Sequence, residues 1–126
     1  MLTQTANYAV RAMGFIAREG KKSPVLSKTI AHEMDIPQNF LSKILHRLVQ
    51  VGLIASARGT HGGFTLTRSA KEITLAEVVT PFVNLDDYRH CFLGRKCDGG
   101  CRLHKKWLPV QRGFLALLEE TTIDQL

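Results

Sequence analysis

The sequence predicts a mainly α domain with a small β-hairpin wing, a winged helix-turn-helix followed by a long C-terminal dimerisation helix. Three observations carry this. The segment QNFLSKILHRLVQVG repeats apolar residues at helical spacing behind a short helix and a three-residue turn. Two short alternating segments then flank the glycine-rich stretch RGTHGG. Finally, Trp107, Val110, Phe114, Leu117 and Leu118 form an apolar stripe at helical spacing near the C-terminus.

From Thr3 to about Arg18, Ala6, Val10, Met13 and Ile16 or Ala17 recur every three or four residues, and Gly20 supplies a stop, which gives a first helix. Ser27 is the expected N-cap of a short second helix bearing Ile30, Ala31 and Met34, closed by the turn Asp35-Ile36-Pro37. In the third helix Phe40, Leu41, Ile44, Leu45 and Leu48 form an apolar face, and Gly52 ends it. Its other face carries Gln38, Asn39, Ser42, Lys43, His46, Arg47 and Gln50, with no acidic residue to repel phosphate. That places a recognition helix where it can enter the major groove of double-stranded DNA.

LIASA and FTLTR read as the strands of a hairpin, with RGTHGG between them as the wing tip. Arg58 and His61 make the tip cationic, while Gly59, Gly62 and Gly63 let backbone N–H groups approach sugar and phosphate. Lys43, Arg47 and Arg58 are the expected phosphate or base contacts, and Gln38, Asn39 and Ser42 the expected base readers. Thr74 and Glu77 form a capping box for a short helix ended by Pro81 and expected beneath the wing. Pro109 is tolerable in the last helix if it falls in the first turn.

The 126 residues, 44% hydrophobic and 22% charged with four prolines, suit a single compact domain. Its expected parts are a DNA-binding region at 1–83, a cysteine-rich loop at 84–104 and a dimerisation helix and tail at 105–126. The net charge of +6 is unevenly placed: residues 1–70 hold nine basic and three acidic side chains, whereas 71–126 hold eight of each. A polyanion-binding half is thus joined to an electroneutral half. No stretch approaches the roughly 18 apolar residues of a membrane span, and the first residues lack a signal-peptide pattern. A cytoplasmic protein without a membrane partner is expected.

In a reducing compartment three cysteines confined to positions 91–101 point to ligand or redox chemistry before a structural disulfide. Cys91, Cys97, Cys101 and His104 follow the spacing C-x5-C-x3-C-x2-H. Three soft thiolates and an imidazole could hold an iron-sulfur cluster or a zinc ion, or the thiols could act as a redox switch. Spacing alone does not separate cluster from zinc.

The chain resembles the Rrf-type bacterial regulators, the family of the iron-sulfur regulator IscR and the nitric-oxide-sensing repressor NsrR. The resemblance spans nearly the whole chain and rests on Tyr8-Ala9-Val10-Arg11-Ala12-Met13, the apolar pattern Phe40, Leu41, Ile44, Leu45 and Leu48, Gly52-Leu53-Ile54, the wing residues Arg58, Gly59, Gly63 and Phe64, and the three cysteines. It implies a homodimeric regulator whose affinity for promoter DNA depends on an iron-sulfur cluster, [2Fe-2S] or [4Fe-4S], held by Cys91, Cys97 and Cys101. His104 matches a histidine that follows the third cysteine after two intervening residues in IscR-like members and is the implied fourth ligand, with His90 and Asp98 in reserve. The interval Asp98-Gly99-Gly100 is shorter than the family's usual one, Asn7 stands where some relatives offer an acidic ligand from the partner subunit, and Ser42 replaces an acidic residue of some relatives.

No Ser-His-Asp arrangement, phosphate-cradling loop or helical carboxylate pair argues for an enzyme. A second functional class is a cluster-free winged-helix regulator, dependent on zinc or thiols and answering to a protein partner. An electron carrier would have no use for the basic helix and wing.

Overall fold

The computed structural model describes residues 2–94 and 97–126. Five α-helices and one hairpin follow in the order α1 (Gln4–Glu19), α2 (Ser27–Met34), α3 (Gln38–Gln50), β1 (Ile54–Ala57), β2 (Gly63–Leu66), α4 (Leu75–Val79) and α5 (Arg102–Glu120), with short 3-10 turns at Ala70–Glu72, Leu85–Arg89 and Ile123–Gln125. The winged helix-turn-helix with a long C-terminal helix is present as expected.

Helix α1 is the hub, in contact with α2, α3, α4, β2 and the C-terminal 3-10 turn. The Thr3 hydroxyl accepts the Ala6 N–H at 3.2 Å to start it, and Gly20 donates to the Ile16 carbonyl to end it. Being surrounded, α1 buries Ala9 and Ala12 as well as Ala6, Met13 and Ile16, and Val10 is only half-buried. Small residues on that face let neighbouring helices come close.

Ser27 is not the N-cap of α2: it is the first helical residue, and Leu26 holds the cap position with no side-chain bond. The Ser27 hydroxyl instead accepts from Gln38 Nε2 at 3.3 Å, which ties the starts of α2 and α3 together. Asp35 adopts a left-handed φ of 52°, a conformation its short polar side chain tolerates. Ile36 is buried and Pro37 caps α3, so the expected turn is formed.

Leu41, Ile44, Leu45 and Leu48 enter the core from α3, but Phe40 does not: it is 48% exposed and leans on the Tyr8 ring, centroids 6.4 Å apart. One step around the helix separates Phe40 from the buried stripe. At the end of α3 the N–H groups of Gly52 and Leu53 reach back to the carbonyls of Val49 and Leu48, with Gly52 at φ 79°, the paired bonds of a Schellman stop.

The antiparallel hairpin runs from Ile54 opposite Leu66 to Ala57 opposite Gly63, so Gly63 belongs to a strand and not to the turn. On its other edge β2 exchanges both backbone bonds between Phe64 and Val25, at 2.8 and 3.0 Å. The capping box of Thr74 and Glu77 forms as expected. Helix α4, however, packs against α1 and α5 and not beneath the wing. Its link to the hairpin is an ion pair between Glu77 and Arg68, just past β2.

Helix α5 begins at Arg102, before the expected boundary at 105, because Cys101 caps it. Pro109 is its eighth residue and lies beyond the first turn, so it has no N–H to donate to the Lys105 carbonyl. Leu118 also departs from expectation. It is 1% exposed and sits in the chain's own core with Ile123 and Val79.

Candidate functional site

The first turn of α5 builds the cysteine group. Cys101 has extended backbone angles before the helix, and its Sγ accepts the His104 N–H at 3.1 Å, the position a serine or aspartate oxygen takes in an ordinary cap. Cys97 lies one turn of loop earlier, its Sγ 3.4 Å from that of Cys101 and also 3.4 Å from the Gly99 N–H. Cys91 arrives from the end of the Leu85–Arg89 turn and brings its Sγ to 3.8 Å from Cys101. All three sulfurs lie within 4.8 Å of one another, and none is in a disulfide.

The three thiols have different environments. The Gly99 N–H leads the effects that hold the Cys97 thiol below its ordinary range, reinforced by the sulfurs of Cys101 and Cys91. At Cys91 the Leu93 N–H pulls the other way from burial and the neighbouring sulfurs, and the latter win, so that thiol is pushed up. Cys97 is therefore the readiest thiolate of these two.

His104 stands beside the group on the Cys97 side, with Nδ1 3.9 Å from Cys97 Sγ. Asp98 turns its Oδ1 to the Gly100 N–H at 2.9 Å and serves as a turn residue. The His90 carbonyl accepts from Trp107 Nε1 at 3.0 Å. Asn7 is exposed on α1.

On the opposite side of the molecule's chemistry, Gln38, Asn39, Ser42, Lys43 and Arg47 are all exposed along α3, and Arg58, Gly59 and His61 are exposed on the wing. None of the ion pairs among the described residues involves Lys43, Arg47 or Arg58. Gln38 and Ser42 are joined, Gln38 Nε2 to Ser42 Oγ at 3.3 Å and Ser42 Oγ to the Gln38 carbonyl at 2.9 Å. Gly62 is buried and Gly63 half-buried. A Cβ on Gly63 would stand 2.6 Å from the Val25 carbonyl oxygen, so this glycine is required by the bridge between Val25 and Phe64.

Two features escape sequence periodicity. Arg11 lies over the Tyr8 ring at 5.6 Å, and with Phe40 these residues make an exposed aromatic and cationic cluster next to the start of α3. Periodicity also assigns Trp107 to a dimer seam alone, whereas its indole faces the segment that carries Cys91. A signal was available: Trp107 falls nearly one turn beyond His104, on the side of α5 that faces the cysteine group. Along the outer side of α5, Leu103, Val110 and Leu117 are 40%, 51% and 54% exposed, whereas Trp107 and Phe114 are half-buried.

No helix among the described residues is long and apolar enough to cross a membrane. The profile of the Rrf2 family, described as an iron-dependent transcriptional regulator, matches residues 2–126. The chain is 32% identical over 127 residues to the HTH-type transcriptional regulator IscR of Pectobacterium carotovorum subsp. carotovorum (strain PC1), covering 99% of this chain and 77% of that one. It is 34% identical over 129 residues to the protein aau3 of Rhizobium meliloti (strain 1021), covering 99% and 83%. Among solved structures, T. potens IscR superposes with a TM-score of 0.77 at 23% identity over 98% of this chain and 82% of that one. CymR, the global cysteine regulator of B. subtilis, superposes with a TM-score of 0.83 at 19% identity over 98% and 93%. At these identities the structural likeness speaks for the fold.

Proposed function

The chain belongs to the Rrf2 family of transcriptional regulators, and from that premise we propose that it is an IscR/NsrR-like homodimer whose affinity for double-stranded promoter DNA is controlled by an iron-sulfur cluster. Cys91, Cys97 and Cys101 would hold the cluster, and His104, whose Nδ1 stands 3.9 Å from Cys97 Sγ, would be the fourth ligand. The observation that carries this reading is the convergence of three thiols at the capped start of α5.

The donor set fits. Soft thiolates suit iron and sulfide, the Gly99 N–H favours the charged form of Cys97, and no disulfide occupies the sulfurs. When bound, the cluster supplies a redox- and nitric-oxide-sensitive group whose binding free energy goes to the conformer presenting all its ligands together. The chain's own part is mechanical. The segment carrying the cysteines joins the DNA-reading region 1–83 to α5, so gathering its thiols on one group biases the relation between the recognition helix and the dimer helix.

On DNA, α3 enters the major groove with Gln38, Asn39 and Ser42 at base edges and Lys43 and Arg47 toward phosphate, while Arg58, Gly59 and His61 bring the wing to the backbone. Buried Gly62 and half-buried Gly63 shape that tip. Leu103, Trp107, Val110, Phe114 and Leu117 alternate by four and three residues along α5, the spacing of a two-helix seam. Pairing two copies there sets their recognition helices about 34 Å apart, one helical turn of DNA. The cytoplasm, where promoter DNA resides, is the compartment for this activity.

A second reading, a cluster-free regulator dependent on zinc or thiols and controlled by a protein partner, is favoured by the sulfur spacing. Separations of 3.4 and 3.8 Å match the edge of one tetrahedral metal site with metal–sulfur bonds of about 2.3 Å. A cluster spreads its cysteines over several irons and needs the group to open.

Anaerobic purification separates the two. Brown protein containing iron and acid-labile sulfide, whose operator affinity differs between holo, apo and Cys97→Ala forms at one salt concentration, supports the cluster. Colourless protein carrying one zinc ion, or equal affinity in all three forms, defeats it.

A further inference from the structure

We propose that Trp107 is the positioning residue of the cysteine group and holds Cys91 in place by gripping both of its chain neighbours. The proposal rests on Cys91, Cys97 and Cys101 being a ligand group, and it assigns how that group is assembled.

The three cysteines differ in how far the chain must travel to bring them together. Cys101 is fixed by capping α5, and Cys97 lies four residues away with its Sγ on the Gly99 N–H. Cys91 alone is brought in from a separate segment, ten residues before Cys101, yet it is 7% exposed and in contact with Cys101. Something on α5 must hold it.

That segment is laid along α5 by several contacts: Gln111 Nε2 donates to the Tyr88 carbonyl, the Tyr88 and Phe114 rings meet at 5.3 Å, and Arg89 pairs with Glu119 at 3.4 Å. The last contact before the sulfur is Trp107. Its Nε1 donates to the carbonyl of His90 at 3.0 Å, and its ring meets Phe92 edge-on with centroids 5.5 Å apart and planes at 71°. His90 and Phe92 are the residues on either side of Cys91. An indole suits this place because it joins a fixed N–H donor to a broad apolar face. Phe92 remains 69% exposed with this contact made, and the Trp107 edge is its ring partner. Cys101, His104 and Trp107 occupy successive turns at the start of one helix, so a single rigid element carries two ligands and the clamp for the third.

The test uses Trp107→Phe, which removes the N–H and keeps an aromatic ring toward Phe92, and Phe92→Leu, which keeps the N–H. Apo protein is alkylated with iodoacetamide and each cysteine followed by mass spectrometry. Cobalt(II) is then titrated as the metal probe, read by thiolate-to-metal charge transfer in every form and also, in wild type and Phe92→Leu, by quenching of Trp107, the single tryptophan of the chain. In Trp107→Phe, Cys91 should react about tenfold faster, the factor that corresponds to about 1.4 kcal/mol, while Cys97 and Cys101 keep their rates. Charge transfer per bound cobalt should fall by the share of one thiolate. Phe92→Leu should show a smaller acceleration confined to Cys91, and it decides the matter if Trp107→Phe does not fold.

Unchanged Cys91 reactivity and cobalt binding overturn the clamp, and so does equal acceleration of all three cysteines with a lowered melting temperature, which marks general loosening. Wild-type protein that binds neither cobalt nor a cluster, with Cys91 still unmasked selectively by Trp107→Phe, defeats the ligand reading and leaves the clamp standing.

Discussion

Cys101 Sγ accepts the backbone N–H of His104 at 3.1 Å, so one sulfur both starts α5 and belongs to the three-thiol group. Capping and ligation are therefore separable by chemistry. Cys101→Ser keeps an acceptor at the cap and should leave the apo melting temperature within a degree or two, while abolishing tight metal or cluster binding. Cys101→Ala loses both, with a stability cost of about 0.5 kcal/mol, the low end for a lost cap. Thermal melts of apo protein alongside iron analysis check this; tight iron binding by Cys101→Ser contradicts it.

Two wing glycines should respond differently to alanine. Gly63 has φ 140°, and a Cβ there would stand 2.6 Å from the Val25 carbonyl oxygen; Gly59 has φ 100° with nothing within 4 Å. Gly63→Ala should cost about 2 kcal/mol from strain plus a clash with backbone that cannot rotate away, and Gly59→Ala about 1 kcal/mol from conformation alone. Denaturant titrations giving equal losses would show that the Val25 contact yields freely.

Arg58 is exposed on the wing and has no ion pair among the described residues. Arg58→Ala should weaken operator binding and reduce the slope of log affinity against log salt by about one unit, as should Lys43→Ala if that side chain also meets phosphate. Identical slopes for Arg58→Ala and wild type remove the wing from the DNA interface.

Neighbouring leucines on α5 should give opposite outcomes. Leu117 is 54% exposed and Leu118 1%. Leu117→Asp should give a folded monomer by light scattering, whereas Leu118→Asp puts an unpaired charge in the core and should fail to fold. A dimeric Leu117→Asp protein places the seam elsewhere.

Glu77 links α4 to the strand exit through Arg68. Burial pushes its carboxyl up, but the Thr74 N–H and the Arg68 guanidinium outweigh that and hold it below its ordinary 4.5. A lowered folded-state value means that Glu77 contributes stability above about pH 4.5 and loses it as pH falls further. Glu77→Gln should thus be less stable than wild type at pH 7 by about 0.5 kcal/mol, the screened size of a half-exposed pair, with the gap closing toward pH 3. A gap that persists at pH 3 would mean that packing accounts for the loss.

Much of this molecule is legible from local chemistry. Helical spacing, the Asp35-Ile36-Pro37 turn, the Thr74–Glu77 box and the glycine stop after α3 each depend on residues within one or two turns, and each is present. The misread positions involve distant partners. Ser27 gives up capping because Gln38 reaches it, Phe40 leaves the core because Tyr8 receives it, and Gly63 is a glycine because Val25 pairs beside it. None of these partners lies within ten residues of the position it alters.

The winged helix-turn-helix, the acid-free polar face of α3 and the run of three thiols and an imidazole within fourteen residues can all be read from the order of residues, because periodicity, charge and turn chemistry are local properties of the chain. Long-range packing settles the rest: Trp107 turns to the Cys91 segment, Leu118 belongs to the core while Leu117 does not, and the three sulfurs come within 4.8 Å of one another. Those outcomes depend on how α5 packs against the rest of the fold. A helical repeat specifies which residues share a face of α5, and packing alone chooses the neighbour that each face meets.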